Sequence, residues 1–138
     1  PNHSALNNSE RFWRSGLIKP TLFSLFFITS LILFTLPASK VPRIYWINIP
    51  HFDKLIHAGI FAVLCTTAYL WLSHYYSSAE KKIAFIIVLL MTGYGIGIEF
   101  IQAELIEGRS FEKLDIVADF TGCMLFLLAR PLLRRISF

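Results

Sequence analysis

Asp53 and His57 are four residues apart and Glu99 and Gln102 three apart; either spacing places two side chains on one face of a helix. Asp115, Asp119 and Gly122 step by four and then three, which draws a single stripe of two carboxylates and a glycine. Lys54 stands beside the first group, and Arg109 lies between the second and the third. Imidazole next to carboxylate is suited to proton transfer. A guanidinium meets a carboxylate or a phosphate through two parallel hydrogen bonds, and an ammonium meets either as a point charge.

The elements that carry these residues are set by composition. Of 138 residues, 55% are hydrophobic and 16% charged, against about 45–50% and about 25% in an average soluble domain. A single soluble core of this length cannot hide that much apolar surface, so most of it must face lipid. Disorder and a large multidomain enzyme are excluded on the same grounds. Four apolar runs, at residues 17–36, 55–76, 83–106 and 116–133, each reach the roughly 20 residues that a spanning helix needs. None alternates at period two as a membrane barrel strand would. The expectation is an all-α polytopic membrane protein: a tail at 1–16, then a four-helix membrane domain at 17–136. A prolyl linker at 37–51, with Tyr45 and Trp46, is expected to lie at the membrane surface. The first run is longer than the 7–15-residue apolar stretch of a cleaved signal peptide and is read as a span.

With four spans, both termini share a side with the 77–82 loop, and that side carries eight of the 13 basic residues. The positive-inside rule then puts both termini in the cytoplasm. The entry of the second span, the exit of the third and the entry of the fourth fall on the opposite, extracytoplasmic surface. Asp53, Lys54, His57, Glu99, Gln102, Asp115 and Asp119 are therefore expected to converge there, with Arg109 on the loop between as the main cationic partner of Glu99 and Asp119. A carboxylate at mid-bilayer costs about 2.5–3.5 kcal/mol on insertion scales, so Glu99 and Asp119 should face the bundle interior. Spacing alone leaves two readings open, a structural network joining helices and a functional site.

These motifs also carry a resemblance. Asp53-Lys54-x-x-His57 at the start of a span, Glu99-x-x-Gln102, Gly108-Arg109, and Asp115, Asp119 and Gly122 together resemble the VanZ-like family of small bacterial membrane proteins. They cover residues 53–122, and the chain departs from the family in carrying Asp119 where Asn is usual. The resemblance implies a bacterial cytoplasmic-membrane location and an association with low-level resistance to the glycopeptide teicoplanin, and it brings no reaction with it. Three functions fit. One is a non-enzymatic envelope protein, whose pocket holds an anionic lipid or cell-wall precursor head group through Arg109, Lys54 and His57. Another is a membrane enzyme acting on a lipid-linked substrate, with His57 and Glu99 as acid and base and Asp53 fixing the imidazole tautomer. The third is a structural or partner-binding subunit.

Other features read more simply. Gly93-x-Gly95-x-Gly97 lies within an apolar span and lacks the strand–turn–helix context of a nucleotide loop; Gly93 and Gly97, four apart, are expected to form a flat helix-packing face, and Gly122 another. His51, Asp53, His57 and Glu99 have metal-binding chemistry, yet there is no HExxH and only one histidine sits clearly on the shared face, so neither metal nor cofactor is expected. Cys65 and Cys123 have no CxxC spacing and read as small buried hydrophobes. Tyr69, Trp71, Tyr75 and Tyr76 read as interfacial or packing aromatics, and Arg130, Arg134 and Arg135 as lipid-facing anchors. The basic residues form no single face, which excludes a nucleic-acid partner.

Overall fold

A computed structural model describes residues 16–40 and 51–137. Residues 1–15 of the tail expected at 1–16, and Pro42, Tyr45, Trp46 and Pro50 of the linker, lie outside the described residues. Among the described residues there are four α-helices, α1 (Ile18–Thr35), α2 (Phe52–Tyr75), α3 (Glu80–Leu105) and α4 (Lys113–Ser137), with 3-10 turns at Ala38–Lys40 and Ser77–Ala79. There is no strand among the described residues. All four helices are long and apolar enough to cross a bilayer, and the protein is a multi-pass, all-α membrane protein.

Three helices begin earlier than their apolar runs. The second, third and fourth spans, expected from 55, 83 and 116, start at Phe52, Glu80 and Lys113. Each added first turn is charged: Asp53 and Lys54, then Glu80 to Lys82, then Lys113 and Asp115. Hydropathy marks where lipid begins, whereas backbone hydrogen bonding carries the helix past that boundary. Pro20 is tolerated in the first turn of α1, where its missing N–H has no intrahelical acceptor anyway. Pro131 interrupts the ladder late in α4, and the helix continues beyond it.

Each helix turns apolar side chains outward, such as Ile28 and Ile32 of α1, Leu89 and Phe100 of α3, and Leu128 of α4. Lipid solvates these faces, so the helices are joined by close packing and polar contacts rather than by hydrophobic exclusion. The core holds Phe61, Leu64, Cys65 and Tyr69 of α2, Ile87 and Ile98 of α3, and Cys123 and Phe126 of α4. Phe27 and Tyr94 stack with ring centroids 4.9 Å apart, and the Tyr94 hydroxyl lies 3.0 Å from Ser30 Oγ, joining α1 to α3.

The tightest seam runs between α2 and α4. A Cβ built on Gly122 would meet the Ala58 carbonyl and stand only 2.9 Å from Cβ of Phe61, so the absent side chain at residue 122 lets the two backbones touch. One turn further along the seam, Cys65 and Cys123 are buried and unbridged, with their sulfurs 3.6 Å apart. The expected packing role of Gly122 is thus found, but that of Gly93 and Gly97 is not. Nothing among the described residues lies within 4 Å of a Cβ at either position. Gly95, about 200° around the helix from both, faces inward instead. There a Cβ would come within 2.6 Å of Asp119 Oδ2 and 3.2 Å of the Phe61 ring.

Gly122→Ala should therefore wedge α2 from α4 at a cost of about 1–3 kcal/mol, the usual range for overpacking. Gly93→Ala, in open space, should be neutral or stabilising by up to about 1 kcal/mol through helix propensity. Thermal unfolding in detergent checks the pair, with a lowered midpoint expected for the first substitution alone.

Candidate functional site

Because neighbouring helices alternate in direction, the start of α2, the end of α3 and the start of α4 meet at one end of the bundle. Lys54, in the first turn of α2, is the hub of its polar rim. Its ammonium donates to Asp53 Oδ2 at 2.7 Å and to Glu112 Oε2 at 2.5 Å, and lies 2.5 Å from Asp115 Oδ1. One turn deeper, His57 Nδ1 is 2.8 Å from Asp119 Oδ1, a contact in which ring N–H donates to carboxylate. His57 Nε2 points the other way and stands 3.9 Å from Asp115 Oδ2, too far for a direct hydrogen bond. The Phe34 ring of α1 packs over the imidazole with centroids 4.6 Å apart.

Glu99 of α3 closes the group from the third side and is fully buried, with 0% exposure. Its Oε2 accepts the backbone N–H of Glu112 at 2.9 Å. Its Oε1 has no hydrogen-bond partner among the described residues. Single ligand atoms of His57, Glu99 and Asp115 all fall within 4.8 Å of one another. Gly95 supplies the room in which the Asp119 carboxylate turns toward the imidazole.

Six of the eight expected residues, Asp53, Lys54, His57, Glu99, Asp115 and Asp119, meet at this end. Gln102 and Arg109 are directed elsewhere. Gln102 Nε2 donates to the Phe34 carbonyl at 2.8 Å, and Arg109 Nε to the Leu36 carbonyl at 3.4 Å. These are end carbonyls of α1, which have no acceptor role left within their own helix. Arg109 is therefore not the partner of Glu99 and Asp119: among the described residues it makes no ion pair, Asp119 meets His57, Glu99 accepts the Glu112 N–H, and Lys54 holds Asp53, Glu112 and Asp115. Nor does Asp53 orient the imidazole. It sits one turn nearer the helix start with its side chain 60% exposed, while Asp119 reaches the ring across the α2–α4 seam.

Three participants are new. Glu112, three residues before Asp115, contributes both a backbone donor to Glu99 and a carboxylate to Lys54; its spacing from Asp115 was the available signal. Gly95 was hidden by the more regular Gly93–Gly97 pair. Glu80, at the far end of the bundle, is buried and forms a second polar knot. It accepts from the Tyr69 hydroxyl at 2.6 Å and from Arg130 Nη1 at 2.9 Å, with Arg134 Nη1 3.6 Å away. Arg130 is thus an internal partner rather than a lipid-facing anchor.

Comparison of the chain with protein-family models, curated proteins and solved structures finds no match. Fold and site together define the class: a four-helix membrane protein with a buried histidine–carboxylate cluster at one end. The cluster gathers five carboxylates, of which Asp53, Glu112 and Asp115 share the Lys54 ammonium, Asp119 meets His57, and Glu99 accepts the Glu112 N–H. In charge the cluster is acidic, with carboxylates outnumbering its basic groups.

Lys54→Met should leave three carboxylates without their common counter-ion, at a cost of about 1–3 kcal/mol for the lost charged hydrogen bonds. Adding Asp115→Asn to that variant should restore part of the loss, since the two residues are in contact and couple non-additively. A double-mutant cycle on thermal unfolding in detergent reads both effects.

Proposed function

We propose that this chain is a VanZ-like protein of the bacterial cytoplasmic membrane, with both termini cytoplasmic, that engages a lipid-linked envelope molecule at the outer surface. Its effect on the cell would be altered susceptibility to teicoplanin-type glycopeptides. The observation that carries this reading is the junction of the polar cluster with an apolar groove. A groove of about 440 Å³ runs between α2 and α4, floored by Ala58 and Ala118 and walled by Leu55, Leu114 and Val117, with Lys54 at its polar end. The three wall residues are more than half exposed on the lipid-facing surface. Such a groove accepts an acyl or prenyl chain from the side while the head group reaches the cluster.

Charge selects among head groups. Lys54 is already shared by three carboxylates, which leaves little attraction for the bare phosphate of a simple anionic lipid. Carboxylates accept hydrogen bonds, so hydroxyl- and amide-rich head groups fit better. This favours a lipid-linked cell-wall precursor over an anionic phospholipid. A second reading, proton transfer on that head group, is supported by the His57–Asp119 contact. Asp119 fixes the Nδ1–H tautomer and leaves Nε2 as base, with Glu99 close by as its acid partner.

Filling the groove with Val117→Trp should deplete co-purifying lipid-linked species, read by mass spectrometry of the detergent-purified protein, and abolish any glycopeptide phenotype. An unchanged lipid complement would sink the proposal. His57→Gln and Glu99→Gln separate the two readings: retained binding with lost turnover in isolated membranes indicates chemistry, and retained turnover excludes it. Orientation is read by labelling Asp53→Cys and Glu112→Cys, both at exposed sites, with an impermeant reagent. Modification from the outside is expected, and modification from the cytoplasmic side only would invert the topology.

A further inference from the structure

The cluster has an excess of negative charge that its own side chains do not answer. Glu99 is fully buried, and its Oε1 finds no donor among the described residues. Asp115 and Asp119 are buried beside it. Even with His57 charged, five carboxylates face two cations. A buried carboxylate without a partner is strongly unfavourable unless it takes up a proton or a cation.

We infer that His57 Nε2, Glu99 and Asp115 form a binding site for a divalent transition-metal ion of the zinc or manganese type. Three observations converge on it. One ligand atom from each of the three residues, on three different helices, lies within 4.8 Å of the others. His57 Nε2 makes no hydrogen bond among the described residues and stands 3.9 Å from Asp115 Oδ2, which leaves its lone pair available. The Nδ1–H of the same ring is held by Asp119 at 2.8 Å. That last contact is the carboxylate–histidine arrangement which orients metal-bound imidazoles and raises their basicity. One nitrogen and two carboxylate oxygens suit zinc, iron or manganese rather than calcium, which prefers six to eight oxygens. Three protein ligands also leave a position open for solvent or substrate. Asp53, Glu112 and Asp115 make a second carboxylate group, but Lys54 sits within it and already supplies the cation.

Sequence spacing disfavoured a metal because it offered only His57 on the shared face and no HExxH. The site is assembled instead from single residues on α2, α3 and α4. Its existence does not depend on the lipid-linked ligand proposed above, and its test needs neither lipid nor phenotype.

The experiment is metal analysis of detergent-purified protein stripped with EDTA, incubated with Zn²⁺ or Mn²⁺, and desalted. A Cys65→Ala/Cys123→Ala background removes the two thiols as zinc ligands. About one ion per chain is expected, with a higher unfolding midpoint on loading, as for any ligand that binds the folded state alone. Glu99→Gln should abolish stoichiometric retention. Asp119→Asn, which keeps an acceptor for Nδ1–H, should weaken affinity about 10–100-fold, as loss of an outer partner does. Gly93→Ala serves as the folded control and should bind as the parent does. Absence of ion retention in the parent, or retention unchanged in both Glu99→Gln and Asp119→Asn, overturns the site and assigns the excess charge to bound protons.

Discussion

A buried carboxylate inside a small membrane bundle must be answered by a donor from another helix, and the contact of Asp119 with His57 is where this chain does so most deeply. Both groups are buried, and they approach to 2.8 Å across the α2–α4 seam. For the carboxylate to reach the ring, the two helices must lie backbone to backbone, which Gly122 against Ala58 permits, and α3 must leave space, which Gly95 does. The glycines and the His57–Asp119 hydrogen bond are therefore parts of one solution. A side chain at residue 95 or 122 would displace the same helices that the electrostatics hold together.

The two ends of the bundle solve the problem differently. At the Glu80 end, one buried carboxylate is satisfied by a hydroxyl and two guanidiniums. Nothing is left over, and the arrangement has the character of a clasp between α2, α3 and α4. At the His57 end the carboxylates outnumber their donors, and Glu99 keeps an oxygen unanswered. Buried ion pairs contribute little net stability while their disruption is costly. A balanced knot is thus explained by helix register alone. An unbalanced one is what a ligand, proton or ion completes.

α1 stands somewhat apart in this scheme. It presents few buried side chains, chiefly Ser30 and Phe34, and is tied to the rest by hydrogen bonds to its end carbonyls from Gln102 and Arg109. Its Phe34 ring covers His57 from one side, while the groove between α2 and α4 approaches the cluster from another. The first helix covers the site, and the groove between the second and fourth reaches its rim at Lys54.

The four helices, their all-α class and the meeting of Asp53, Lys54, His57, Glu99, Asp115 and Asp119 at one end were legible in the linear chain. Run length fixes what can cross lipid, and alternate spans must run in opposite directions. Helical spacing also showed which polar residues share a face. What it did not contain was the rotation of each helix about its own axis. That rotation aims Gly95 inward and Gly93 and Gly97 outward, sends Arg109 to the Leu36 carbonyl, makes Lys54 the hub, and gives Asp119 rather than Asp53 to the imidazole. Partner choice among ionisable groups is decided by distances of an ångström or two between different helices. Only the packed bundle sets those, because each helix alone satisfies its own backbone at every rotation.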